Sequence, residues 1–133
     1  MVTEPITIES NALVIEAAKL MSEKKIGSVI VVEKGKVVGI VTERDFVVRI
    51  IVANRDSKKN KINDIMSSPV ISISPKEDVV YAAQLMRKKG IKRLVVIERE
   101  KLVGVITTND LARNMTRAVE ELATTLYIMG KTR

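Results

Sequence analysis

Cysteine, histidine and tryptophan are absent from the 133 residues, and there are only one phenylalanine, two tyrosines and three prolines. Without cysteine there is no disulfide framework and no thiolate nucleophile; without histidine the usual general base and the commonest metal ligand are missing. The sequence also holds no nucleophile–base pair, metal-ligand cluster or glycine-rich phosphate loop, so an enzyme is not expected. The shortage of aromatics removes the stacking platform that nucleic-acid binders use, and no RNP-like or helix-turn-helix pattern replaces it. No apolar run approaches the ~20 residues of a membrane span. The opening MVTEPITIES lacks the basic and apolar regions of a signal peptide, so a cytoplasmic location away from membranes is expected.

What is present is aliphatic. Hydrophobic residues make up 46% of the chain, enough for one compact domain or two small halves sharing a core of Ile, Val, Leu, Ala and Met. The formal charge of +7, from 23 basic and 16 acidic residues, points to an anionic partner, whether nucleic acid, a membrane surface or a phosphorylated small molecule. A solvated lysine-rich surface explains the same charge equally well.

The chain repeats itself. A step of 65 maps Gly39 onto Gly104, Ile6 onto Ile71, Val14 onto Val79, Met21 onto Met86, Val31 onto Val96, Thr42 onto Thr107 and Asp45 onto Asp110, without a gap. Each copy reads as strand, helix, strand, strand, helix, an α/β unit with its helices on one face of a small sheet. The apolar stripes Val14, Ala17, Ala18, Met21 and Val79, Ala82, Ala83, Met86 have helical spacing. Ser74, Pro75 and Glu77 predict the start of the second helix, as N-cap, first helical residue and capping-box partner. The runs SVIVVE with VVGIVT and RLVVIE with LVGVIT read as hairpins turning at Lys34-Gly35 and Arg99-Glu100, with the VIVV run buried on both faces. The expected division is a first repeat over 1–53, a linker over 54–61, and a second repeat over 62–133 with a lead-in helix and a long final helix. The two repeats are expected to pack about a pseudo-twofold axis.

Thr42 with Asp45 and Thr107 with Asp110 stand where a strand hands over to a helix. Helix capping accounts for that spacing with no ligand. Aspartate is a shorter reciprocal cap than glutamate, however, and Gly39 and Gly104 inside strands mark a close approach by another backbone or a ligand. A helix start bearing a hydroxyl and a carboxylate also suits a nucleoside phosphate, the carboxylate accepting from ribose hydroxyls.

On these residues the chain resembles the cystathionine-β-synthase (CBS) domains, which occur as tandem pairs called Bateman modules. GIVTERD and GVITTND match the family's Gly-x-x-Thr-x-x-Asp signature, DIMSSPVISISP its lead-in, and IGSVIVVE and IKRLVVIE its middle strand. The resemblance implies a non-catalytic regulatory module that binds AMP, ADP, ATP or S-adenosylmethionine between repeats, with no cofactor required beyond that ligand. It assigns Thr42 and Asp45 to one cleft and Thr107 and Asp110 to the other, with Thr3 and Ser68 lining the base or sugar. Phosphate contacts fall on Lys92 and Arg93 in the second copy and on Arg44 in the first. Their counterparts are Gly27 and Ser28, and Asn109, so one cleft is expected to bind tightly and the other weakly or not at all. The family's middle-strand proline is replaced by Ile30 and Val95.

Micromolar binding is worth ~8 kcal/mol, against ~0.5 to 1.5 for a neutral hydrogen bond and ~1.5 to 3 for a charge-assisted one. An apolar slot and at least one basic contact are therefore needed beside Thr and Asp. The final helix carries Leu111, Met115, Ala118, Leu122, Thr125 and Met129 at near-heptad spacing. The expectation is a disc-like homodimer joined through helices, acting on an effector protein the sequence does not identify. A structural dimer with vestigial clefts is the alternative, and a nucleic-acid binder the minor one.

Overall fold

The structure, a computed structural model, describes residues 5–68 and 70–131; the side chains of 114–118, 121, 126 and 129–131 lie outside the described set. Thr3 and the seam positions Met115, Ala118 and Met129 fall among the residues so excluded.

The first repeat runs β1 (Thr7–Glu9), α1 (Val14–Lys24), β2 (Ser28–Glu33), β3 (Lys36–Thr42) and α2 (Glu43–Phe46), which continues as a π-helical segment, Val47–Val52. A 3-10 turn, Ile62–Asp64, leads to β4 (Ser72–Ile73), α3 (Val79–Lys89), β5 (Arg93–Glu98), β6 (Lys101–Thr107) and α4 (Thr108–Lys131). Each repeat makes a three-stranded sheet, β1-β2-β3 and β4-β5-β6, with a parallel first pair and an antiparallel second. The expected α/β order stands. Both hairpins turn through two left-handed residues, Lys34 and Gly35 (φ 50° and 77°) and Arg99 and Glu100 (φ 51° and 65°). That is the twist a two-residue hairpin needs.

The middle strands are buried on both sides, as their unbroken apolar runs predict. Val31 faces α1 with Val14 and Ala17, while Ile30 faces the opposite way, into a cluster with Val95 and Val105. Ile30 and Val95 are related by the step of 65 and are each 1% exposed, so the two sheets meet where the repeat meets itself. Replacing proline there keeps both N–H groups in the ladders: Ile30 donates to Ile6 at 3.1 Å and Val95 to Ile71 at 3.2 Å.

One expectation needs correction. The second repeat's helix starts at Val79, with Asp78 as N-cap accepting from the Tyr81 N–H at 2.7 Å. Ser74 to Glu77 forms a separate turn closed by Glu77 N–H to Ser74 C=O. Two start signals overlap, and the one adjoining the apolar stripe caps the helix. The stripes are also unequal, since Val14 is fully buried and Val79 is 38% exposed. In the first repeat the connecting segment folds back over α1, with Asn60 accepting from Val14 N–H and Ser57 from Ile15 N–H, while Ile62 and Ile65 enter the core beside Val14.

The segment after this turn fixes the site. Ser67 and Ile40 exchange backbone hydrogen bonds of 2.9 and 3.1 Å, laying the second repeat's lead-in along the edge of β3. Gly39 makes that approach possible, because a Cβ there would come 2.6 Å from Met66 Sδ and 3.0 Å from the Ser67 carbonyl oxygen.

Candidate nucleotide cleft

The aspartates cap, as the spacing predicts. Thr42 N–H donates to Asp45 Oδ2 at 2.8 Å and the Thr42 hydroxyl to the same oxygen at 3.2 Å. In the second repeat Thr107 N–H donates to Asp110 Oδ2 at 2.9 Å, and Asp110 N–H donates back to Thr107 Oγ1 at 3.2 Å. Aspartate is long enough for the reciprocal bond in both repeats, so its recurrence needs no ligand to explain it.

Each carboxylate also has a second oxygen with further work. Asp45 Oδ1 accepts from the Ser67 hydroxyl at 3.3 Å and lies 3.8 Å from Arg49 Nε. Arg49 stands one turn on, in the π segment, and its Nη1 donates to the carbonyls of Ile65 and Met66 at 2.9 and 2.8 Å. One arginine thus ties the signature aspartate of the first repeat to the lead-in of the second. Asp110 Oδ1 instead accepts from Arg113. Burial opposes ionisation of Asp110, but the Thr107 backbone N–H, Arg113 and the Thr107 hydroxyl together hold its carboxyl below the ordinary aspartate value.

A cleft of about 730 Å³ opens beside Asp45, between the two repeats. It gathers six of the sequence-predicted residues: Thr42, Arg44 and Asp45 from one repeat, Ser68, Lys92 and Arg93 from the other. The sequence places Arg44 in one copy and the Lys92-Arg93 pair in the other, whereas the fold turns all three onto one surface. Ile40, Val70 and Val95 supply an apolar wall. Ser28, Thr107 and Asp110 are not in this cleft. Ser28 lies across the ladder from Thr42, and Thr107 across from Arg93.

Sequence reasoning missed Arg49, Ser67 and Glu43, which also line the cleft. Arg49 was findable as an i, i+4 partner of Asp45. Ser67 was not, because its place depends on the lead-in bridging to β3. Among the described residues no group of acidic side chains is arranged to hold a metal ion, and no helix is long and apolar enough to cross a membrane.

Comparison with known proteins agrees with this architecture. The CBS domain family model matches residues 1–52 and 62–117. The chain is 34% identical over 114 residues to the CBS domain-containing protein YhcV of Bacillus subtilis, covering 86% of this chain and 81% of that one. Two further curated relatives are longer, the chain spanning 50% and 60% of them. Among solved structures, the hexameric CBS-CP12 protein of bloom-forming cyanobacteria superposes with a TM-score of 0.78 at 34% identity, covering 84% of this chain and 66% of that one. The CBS domain pair of protein MJ0100, solved with 5′-methylthioadenosine and S-adenosylmethionine, superposes at 0.76 and 32% identity, covering 86% and 90%. Two family-model matches in register with two structural repeats place this chain in the CBS domain family, as a tandem pair.

Proposed function

We propose that this CBS pair is a regulatory module that binds an adenosine compound, AMP, ADP, ATP or S-adenosylmethionine, in the cleft beside Asp45, and that it performs no catalysis. The supporting observation is the cleft itself. Its 730 Å³ lies within the range of small-molecule sites, and a buried carboxylate flanked by the Thr42 and Ser67 hydroxyls faces an apolar wall and a basic one. Residues 1–53 and 62–133 act as the two halves, joined by 54–61. Thr107, Asp110, Ser28 and Thr3 belong to the second, less basic site. A CBS pair of similar fold has been solved with adenosine compounds.

The output is a change in assembly. Large apolar side chains stand exposed on the π segment, at Val47, Ile51 and Val52, and on α4, at Val119, Leu122, Tyr127 and Ile128. We take these faces as joining two copies into a homodimer or meeting an effector protein in the cytoplasm. Of the α4 seam, Leu111 is buried in its own repeat while Leu122 is exposed.

A second reading, a structural dimer with vestigial clefts, is favoured by the caps, which are complete without ligand. Thermal midpoints with millimolar AMP, ADP, ATP and S-adenosylmethionine separate the two. A ligand at 100 times its dissociation constant adds ~2.7 kcal/mol, a rise of several degrees. No rise with any of the four rejects the sensor reading. A steeply salt-dependent shift in nucleic-acid mobility would instead support the minor alternative.

A further inference from the structure

The two repeats make the same turn before their first helix and cover it differently. Ala12 N–H donates to the Glu9 carbonyl at 3.1 Å, and its counterpart Glu77 N–H donates to the Ser74 carbonyl at 3.1 Å. In the first repeat the connecting segment closes over this corner. Asn63 and Ile62 N–H donate to the carbonyls of Ser10 and Ala12 at 3.0 and 2.9 Å, while the Asn60 and Ser57 carbonyls accept from Val14 and Ile15 N–H at 2.9 and 3.0 Å. Those last two N–H groups open α1 and have no carbonyl within their own helix to reach. Ile62 and Ile65 then enter the core beside Val14, fully buried.

In the second repeat nothing among the described residues does the same. The counterparts of Val14 and Ile15 are Val79 and Val80, 38% and 64% exposed, with Tyr81 beside them at 45%. The N–H groups of Val79 and Val80 have no acceptor among the described residues. The buried cluster of this repeat takes in Ala82 and Met86 but not Val79. The step of 65 carries Ser57 and Ile62 onto Leu122 and Tyr127, which belong to the continuous helix α4 and not to a segment laid over α3.

We propose that the open start of α3 is a docking surface for a segment of an effector protein with the chemistry of residues 57–65. Such a segment offers two backbone carbonyls to Val79 and Val80, then two branched aliphatic side chains three residues apart to cover the exposed valines. Charge adds a preference. Lys61 is bridged to Leu13 in the first repeat, and the counterpart of Leu13 is the exposed Asp78, with the exposed Glu77 next to it. This edge therefore favours a segment with lysine just before its aliphatic pair. The start of α3 does not line the Asp45 cleft, so the inference stands apart from the identity of the cleft's ligand.

A synthetic peptide of residues 57–66, SKKNKINDIM, added to the labelled full chain, tests this through the backbone amide resonances. The expected result is saturable shifts at Asp78 to Ala82. They should be lost in Val80→Lys, and the peptide carrying Ile62→Ala and Ile65→Ala should bind about tenfold or more weakly. Val80 is exposed, so the lysine variant keeps its fold, which an unchanged thermal midpoint verifies. Shifts at Val14 and Ile15 with none on α3 would mean that the peptide only displaces its own copy, and would overturn the proposal. Absence of shifts with the peptide in millimolar excess does the same. Sedimentation of wild type and Val80→Lys settles the source of the segment. An unchanged oligomeric state supports an effector, whereas a lower one in the variant gives the face to a second copy and overturns that assignment.

Discussion

The Ser67 hydroxyl donates to Asp45 Oδ1 at 3.3 Å, so a residue of the second repeat's lead-in reaches the signature carboxylate of the first. The contact exists because Ser67 is bridged to Ile40, two residues before Thr42. Cleft and inter-repeat junction are one piece of structure, and a ligand touching Asp45 also touches the seam between the repeats.

Removing the carboxylate charge separates capping from binding. Asp45→Asn keeps the shape but weakens the bonds from Thr42, and its expected cost is about 1 kcal/mol, the size of a cap. Without ligand, Asp110→Asn should cost a similar amount. With ligand, Asp45→Asn should lose the nucleotide-induced rise in thermal midpoint, while Asp110→Asn retains most of it. Equal retention by both variants would leave the aspartates as caps alone.

Gly39→Ala tests the close approach of the lead-in. The new Cβ meets a flexible Met66 side chain, which can move, and the Ser67 carbonyl, which cannot without straining the bridge to Ile40. The expected loss is about 1 to 3 kcal/mol in denaturant unfolding, with weaker ligand binding. Met66→Ala in the same chain should recover part of the stability but not the binding. Wild-type stability in Gly39→Ala would show that the lead-in is loosely held.

The sheets share Ile30 and Val95, so the two repeats should unfold together. Ile30→Ala is expected to cost about 2 to 5 kcal/mol and to shift one transition without splitting it. Two separate transitions would mean that each repeat carries its own stability.

Asp110 gives the fold an acid-sensitive component. Its folded carboxyl lies below the ordinary value of about 3.9, so the unfolded chain takes up the proton first as pH falls. The stability it contributes is therefore complete above that ordinary value and is lost as pH drops through the lower folded one. Asp110→Asn should flatten the stability profile below about pH 4. An unchanged acid limb would assign the sensitivity to other groups.

The strands and the doubled unit were legible in the sequence because hairpin turns, glycines and valine runs all keep one register. SVIVVE and RLVVIE match β2 and β5 residue for residue. Local signals failed where two overlapped, as at Ser74 and Asp78, and where burial depended on distant chain, as at Val14 and Val79. The composition of the site was largely legible and its grouping was not. Nothing near Lys92 or Arg93 says that they share a cleft with Thr42 of the other repeat; only the packing of one repeat on the other decides that. Arg49 reaches the Ile65 and Met66 carbonyls from the π segment, an arrangement that apolar periodicity does not reveal.

The most direct test of the central claim is to follow the backbone amide resonances of the labelled protein while AMP, ADP and S-adenosylmethionine are added in turn. The account predicts saturable shifts with at least one of the ligands, concentrated at Thr42 to Asp45, at Ser67, Ser68, Val70 and Ile71, and at Gly90 to Arg93. Absence of any shift, or saturable shifts centred on Thr107 and Asp110 with Thr42 and Asp45 unmoved, would contradict it.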